Sequence, residues 1–408
     1  MTAQIILTNQ LGIAVASDTT TTIGEKALQT SSKIVALPWP HRVAVLDAGL
    51  VFVGGLQGRF LLTEWVLSLG DPLATLEAYV ESFDAWVADH AAELLVDDAA
   101  SMRDVARNEL IDLWNYRDSD WHGLEHGDPA APTLLESEQL AKAIAIVDGY
   151  CESNFTRDPY PDLVDGGLEA LVEATGFDAT ELIDEFLEQL REGLGIDGAG
   201  LRDRLGEFVT GSLLRFVGSN ELLRLNFAGY GADEMFPAHA ELKIRSIYGG
   251  RLRSTTVVHT VSKPRHSTQW FPIAQQDAMA DMLRGMSSER RSAVFRMATG
   301  LVDDMEKLDE DDKKEFRDKL YERLEDYFAS HFERFSDSTI RSLSLPALAY
   351  YADMLVKIQS MRSEMAEGPV SVGGPVECLT ISRTHGVEWS RRLSTHTNNR
   401  TGEIEIGW

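Results

Sequence analysis

The sequence predicts an α+β protein built on antiparallel sheets. Three observations carry that prediction. Short β-branched runs cluster near the start of the chain, at about residues 222–260, and again near the end. A long acidic stretch of helical periodicity separates the first two clusters. Runs of strands and runs of helices therefore follow one another without the strict alternation of a doubly wound parallel fold.

The first block covers residues 3–55. "AQIILT" and "GIAVAS" read as one hairpin, and "KIVAL" (Lys33 to Leu37) with "RVAVL" (Arg42 to Leu46) as a second around the turn "PWPH". "LVFVGG" closes the block, and the two successive hairpins read as the start of one antiparallel sheet. Helical spacing then takes over to about residue 220, clearest in Leu182, Ile183, Phe186, Leu187, Leu190 and Leu194. Asp178, with Glu181 three residues on, predicts a capping box for that helix. Strands return in "ELLRLNFAGYG", "AELKIRSIYGG" and "RLRSTTVVHTV", with Gly249-Gly250 as a hairpin turn. Helices are expected from about Pro272 to Met286, from Glu289 to Phe335 with a break near Gly300, and from Leu345 to Met365. The strands "VECLTIS" and "GVEWSRRL" follow, around "RTHG". The expected organisation is a core in two parts, residues 1–56 and 221–408, with an all-α acidic insertion at 57–220 and extra helices at about 287–344.

Composition narrows the function. The chain has 408 residues, 44% hydrophobic and 25% charged, which is ordinary for a globular protein. Its 38 basic and 65 acidic residues leave a net charge of -27, a field that repels phosphate backbones and anionic lipid. No partner of either kind is expected. Two cysteines, Cys151 and Cys378, lie far apart and exclude a disulfide framework or a cysteine-built zinc site. No apolar stretch approaches membrane-spanning length and no signal segment opens the chain, so a cytoplasmic location is expected. No cofactor or metal is expected. His122 and His126 have metal-pair spacing but sit in a Gly- and Pro-rich loop, and Gly229-Tyr230-Gly231 is too short for a phosphate loop. G-x-S-x-G, H-E-x-x-H and P-loop signatures are missing from the sequence.

The opening "MTAQIILTNQLGIAVASDTTTTIG" carries the most specific signal. Removal of Met1 makes Thr2 the first residue, with Asp18 sixteen residues later and Lys33 ahead of an apolar strand in "SSKIVAL". "VAVLDAGL" adds Ala48-Gly49, and "SVGGPVECLTI" adds Gly373-Gly374. In these places the chain resembles the proteasome β-subunits and their bacterial ATP-dependent relatives, which are N-terminal-nucleophile (Ntn) hydrolases. It is also similar to a group of bacterial proteasome-like proteins carrying "ASD…TIG", "AGYG…FP" and "VGGP". It departs from them at Val372, where the family has Ser, and at Pro369, where the family has an acidic residue. The resemblance implies a four-layer αββα sandwich, amide-bond hydrolysis and homo-oligomerisation.

The chemistry that the resemblance implies has a physical basis. A threonine hydroxyl needs a base, and an α-amine on the same residue titrates near ~7.7–8.0, so it is poised to take the proton at neutral pH. A cation at Lys33 would favour the neutral amine, and Asp18 would pair with Lys33 and hold it. The backbone N–H of Gly49 would stabilise the oxyanion, with Gly54 and Gly55 as competing donors. Thr19, beside Asp18, is the member of "TTTTIG" able to reach the site. The expected catalytic set is thus Thr2, Asp18, Lys33, Gly49 and Thr19, acting on a peptide or small amide. The rival reading is an inactive scaffold whose acidic helical insertion binds a protein partner.

Overall fold

The computed structural model describes residues 2–23, 26–28, 32–116, 136–194, 198–218, 222–260, 269–286, 288–303, 305, 310–328, 330, 334–366, 372–392, 394–397 and 404–407. His122, His126, Pro369 and Met1 lie outside them. The protein is a mixed α/β structure with several antiparallel sheets and many helices.

Ten strands make the two principal sheets. They are β1 (Ala3–Asn9), β2 (Gly12–Asp18), β3 (Ile34–Ala36), β4 (Arg42–Gly49), β5 (Leu223–Tyr230), β6 (Ala238–Tyr248), β7 (Arg251–Thr260), β8 (Gln269–Ala274), β9 (Val376–Ser382) and β10 (Gly386–Arg391). The first sheet has the order β8-β1-β2-β9-β10, and the second β7-β6-β5-β4-β3. The two opening hairpins thus enter different sheets, which corrects the expectation of a single one. β1 and β2 are buried at every residue because both faces of the first sheet are covered.

Side-chain alternation sorts these residues onto two faces. Ile6, Ile13, Val15, Leu379 and Ile381 of the first sheet meet Ala44, Leu46, Ala228 and Tyr230 of the second in one apolar cluster. The other face of the first sheet, through Ala3, Ile5, Leu7, Ala14 and Ala16, packs on α-helices Asp277–Arg284 and Leu345–Met365. The outer face of the second sheet, through Val43, Val45, Leu225 and Phe227, packs on helices Gly58–Ser68 and Leu76–Asp89. Each fully buried Leu, Ile or Phe in these layers contributes about 1.5–3 kcal/mol.

Helices from Asp98–Asn115 to Arg202–Leu214 gather around a core of their own that includes Met102, Leu113, Tyr150, Phe186 and Phe208. Two buried arginines of the second sheet tie this helical unit down. The Arg245 guanidinium pairs with Glu109 at 2.6 Å, with side chains 3% and 0% exposed. Tyr150 Oη also donates to Glu109 at 2.9 Å. Arg253 donates to both oxygens of Asp162 at 2.9 and 2.8 Å and lies against the rings of Tyr160 and Tyr248.

Three local expectations change. Pro272 does not begin a helix; it lies inside β8, the edge strand, where its missing N–H leaves no inner ladder bond unmade. Gly300 lies within the helix Ser288–Asp303, and the next helix starts at Glu310, so the break falls after residue 303. Asp178 accepts from the N–H of Thr180 at 2.9 Å, a local turn rather than the expected capping box with Glu181.

Removal of one partner from a buried ion pair strands the other charge. We expect Glu109→Ala to lower the unfolding free energy by about 3–5 kcal/mol, measured by urea unfolding. A loss under about 1 kcal/mol, the range of exposed pairs, would contradict that account of how the helical unit is attached.

Candidate active site

Thr2 is 6% exposed and directly precedes β1. Its carbonyl accepts from the N–H of Gln275 at 2.9 Å, which ties it to the end of β8. Alternation along β1 places Thr2 on the face of Gln4 and Ile6, the one turned toward the second sheet.

The carboxylate of Asp18, at the end of β2, is fully buried. Its Oδ1 accepts from the Ala3 N–H at 2.9 Å, the peptide that joins Thr2 to β1, and from Lys33 Nζ at 2.7 Å. Its Oδ2 accepts from the N–H groups of Thr20 at 3.2 Å and Gly373 at 3.3 Å. Lys33 also donates to the Thr20 carbonyl at 2.5 Å. One carboxylate oxygen therefore links the Lys33 ammonium to the peptide after Thr2. Burial pushes the Lys33 pKa down, opposed by the charges of Asp18 and Asp47 and by the bond to Asp18.

The other expected residues fall as follows. Thr19 donates from Oγ1 to the Pro375 carbonyl at 2.9 Å, pinning the turn that carries Gly373 to the end of β2. Val372 is fully buried in the apolar cluster with Ala3, Ala16 and Val376, in a setting that takes a methyl group better than a hydroxyl. Gly49 ends β4 opposite Leu223 with φ of +86°, and a Cβ there would lie 2.0 Å from the Leu222 carbonyl oxygen. Glycine is required at 49 by the sheet itself. Gln4 Nε2 donates to the Asp47 carbonyl at 2.9 Å, so the end of β4 sits under the inner face of β1, close to Thr2. Gly54 and Gly55 turn the small hairpin Phe52–Val53 to Leu56–Gln57, and the space at Gly54 is filled by Ile247 and Val96.

The structure adds residues that sequence reasoning missed. Glu377 of β9 is fully buried, and its Oε2 accepts from Ser32 Oγ at 2.7 Å. Asp47 bonds the Lys33 carbonyl through its N–H at 3.1 Å, and burial raises the pKa of its side chain against the opposing charge of Arg59. The available signals were a single acid inside the buried run "VECLTIS" and a Gln inside "QIIL". Among the described residues no group of His, Cys, Asp and Glu could hold a metal ion, and no helix is long and apolar enough to cross a membrane.

No protein-family model matches the chain, and no curated protein matches it. Solved structures similar to it include Anbu (ancestral beta-subunit) from Yersinia bercovieri, at 11% identity and TM-score 0.30, covering 95% of this chain and 86% of that one. Anbu from Hyphomicrobium sp. strain MC1 is similar at 11% identity and TM-score 0.29, over 95% and 85% of the two chains. Its Gly-1 mutant gives 12% identity and TM-score 0.30, over 96% and 86%. Overlaps of that size establish neither a shared fold nor a shared activity. The resemblance to proteasome β-subunits is therefore corrected. With no matching family model and no curated relative, the chain is not assigned to that family, and the site stands on its own geometry.

An Asn at position 18 would set an amide N–H₂ against donors and take from the buried Lys33 cation the carboxylate it is bonded to. Asp18→Asn is expected to cost about 3–5 kcal/mol in urea unfolding, and Asp18→Asn/Lys33→Met to recover part of it. A double variant less stable than Asp18→Asn would refute this electrostatic account.

Proposed function

We propose that this chain hydrolyses an amide bond, in a peptide or a small amide, with Thr2 as its amino-terminal nucleophile after loss of Met1. The observation that carries the reading is the shared oxygen of Asp18, bonded at once to Lys33 and to the peptide that follows Thr2. The packing of helices on the outer face of each sheet supports reading the architecture as four layers, with Thr2 at one end of the inter-sheet space.

In this mechanism Thr2 Oγ1 attacks the scissile carbonyl, and its proton passes to the α-amine of the same residue. The Lys33 ammonium keeps that amine neutral through like-charge repulsion, and Asp18 keeps Lys33 in place. The oxyanion takes a hydrogen bond from the Gly49 N–H, a contribution on the order of 3 kcal/mol where one such donor is lost. Collapse of the tetrahedral species breaks the C–N bond. The leaving amine receives the proton and an ester to Thr2 forms. Water, deprotonated by the same amine, then hydrolyses the ester and restores the hydroxyl.

One observation favours a second reading, a binding role for the helical unit. A cleft of about 140 Å³ there is lined by Leu110, Ile111, Trp114, Leu182 and Phe186, with Arg107 and Glu185 beside them. An apolar floor with polar edges suits a protein partner.

Intact mass of the protein purified with its native terminus, followed by a β-lactone probe on wild type and Thr2→Ala, separates the two readings. Hydrolysis requires loss of Met1 and labelling that disappears in Thr2→Ala. Full retention of Met1, or labelling indifferent to Thr2→Ala, rejects it in favour of the binding role. The labelling rate is expected to rise with pH as the Thr2 amine loses its proton below ~8. In Lys33→Met the rise should move to higher pH, because the like charge that favours the neutral amine is gone. A rise at the wild-type pH in Lys33→Met would remove Lys33 from the mechanism.

A further inference from the structure

Glu377 stands in β9 directly across from Ser17 of β2. Its neighbours Val376 and Cys378 pack toward the helices, whereas Leu379 and Ile381 pack between the sheets. Alternation therefore turns Glu377 inward, in line with Leu379 and Ile381, and the residue is fully buried. An apolar side chain there would extend the inter-sheet cluster. An acid there costs desolvation instead, which makes it a weak stabilising device.

One of its hydrogen bonds points to where it acts. The Ser32 hydroxyl donates to Glu377 Oε2 at 2.7 Å, and Ser32 is the residue before Lys33. The Ser32–Lys33 segment runs into β3, an edge strand of three residues whose ladder to β4 covers only Ile34, Val35 and Ala36. Among the described residues, bonds to this segment's backbone also come from its own side of the molecule, including one from Ser32 Oγ to the Ile34 carbonyl at 3.3 Å. Asp47 N–H donates to the Lys33 carbonyl at 3.1 Å and Arg59 Nη1 to the Ser32 carbonyl at 3.4 Å. Asp18 and Glu377, by contrast, both belong to the first sheet. Asp18 grips the far end of the long Lys33 side chain, and Glu377 grips the backbone end through Ser32.

We propose that Glu377 is a positioning residue that, through Ser32, sets the distance between the Lys33 backbone and the first sheet, and so delivers the Lys33 ammonium to Asp18 beside the Thr2–Ala3 peptide. The proposal rests on the reading of Thr2 as the nucleophile. It assigns Glu377 no contact with substrate.

The test is acylation of Thr2 by a β-lactone, resolved into kinact and KI, on full-length wild type, Thr2→Ala, Glu377→Ala, Glu377→Gln, Ser32→Ala and Glu377→Ala/Ser32→Ala, each with its unfolding midpoint. Glu377→Ala and Ser32→Ala are expected to lower kinact about 10- to 100-fold, the cost of misplacing a catalytic group by a fraction of an ångström to one ångström, with KI unchanged. Glu377→Gln keeps an acceptor oxygen and should regain most of the rate. The double variant should lose less than the two single losses combined, since the two substitutions share one contact. If Glu377→Ala does not fold, Ser32→Ala decides. A labelled wild type with Ser32→Ala at the wild-type rate overturns the positioning role alone, as does a kinact loss that only follows the folded fraction. A wild type that Thr2→Ala cannot be told from overturns the nucleophile reading and this proposal with it.

Discussion

One buried carboxylate organises this end of the molecule. Asp18 has no exposure, so its charge must be met by donors inside the protein. It draws them from places far apart in sequence: the start of β1, the segment before β3, and the turn before β9. Lys33 comes from the second sheet and the others from the first, so satisfying one charge also sets the spacing between the sheets. Packing alone would not do this, because apolar contacts are non-directional and tolerate sliding. The Gln4 bond to the Asp47 carbonyl and the Ser32 bond to Glu377 cross the same gap at the same end. Away from it, the gap is filled by Ile6, Val15, Leu46 and Leu379.

The same physics fixes the helical unit. Its apolar core takes in Tyr248 of the second sheet, and the attachment also runs through Arg245–Glu109 and Arg253–Asp162. Such pairs gain little over well-packed apolar residues, but they lose heavily when mismatched. They select one docking geometry for a unit whose apolar surface could slide. Helices Gly58–Ser68 and Leu76–Asp89 instead meet the second sheet through side chains such as Trp65, Phe83 and Phe227, whose rings pack edge to face.

Much of the architecture was legible in the sequence, because hydrophobic period and turn residues are local properties. The paired runs of the first hairpin, the Gly249-Gly250 turn and the helix Leu345–Met365 follow from pattern alone. Of the candidate site, the structure joins Asp18 to Lys33 and to the peptide after Thr2. Thr2, Asp18 and Lys33 were singled out by a resemblance, whereas a free α-amine beside a hydroxyl is a property of the residue itself. Pattern failed where a neighbour decided: Pro272 reads as a helix start until an edge strand is there to accept it.

Only the tertiary structure decided which sheet each hairpin joins, since strand pairing across hundreds of residues leaves no local trace. It also revealed that Gly49 is demanded by the Leu222 carbonyl, and that Val372 completes an apolar core. Glu377 and Ser32 are separated by 345 positions and meet at one hydrogen bond. No periodicity encodes such a pair; it exists only once both sheets are folded against each other. The sequence by itself determined the chemical groups and the strands that carry them. The fold decided their company, because burial and charge pairing are properties of neighbours and not of residues.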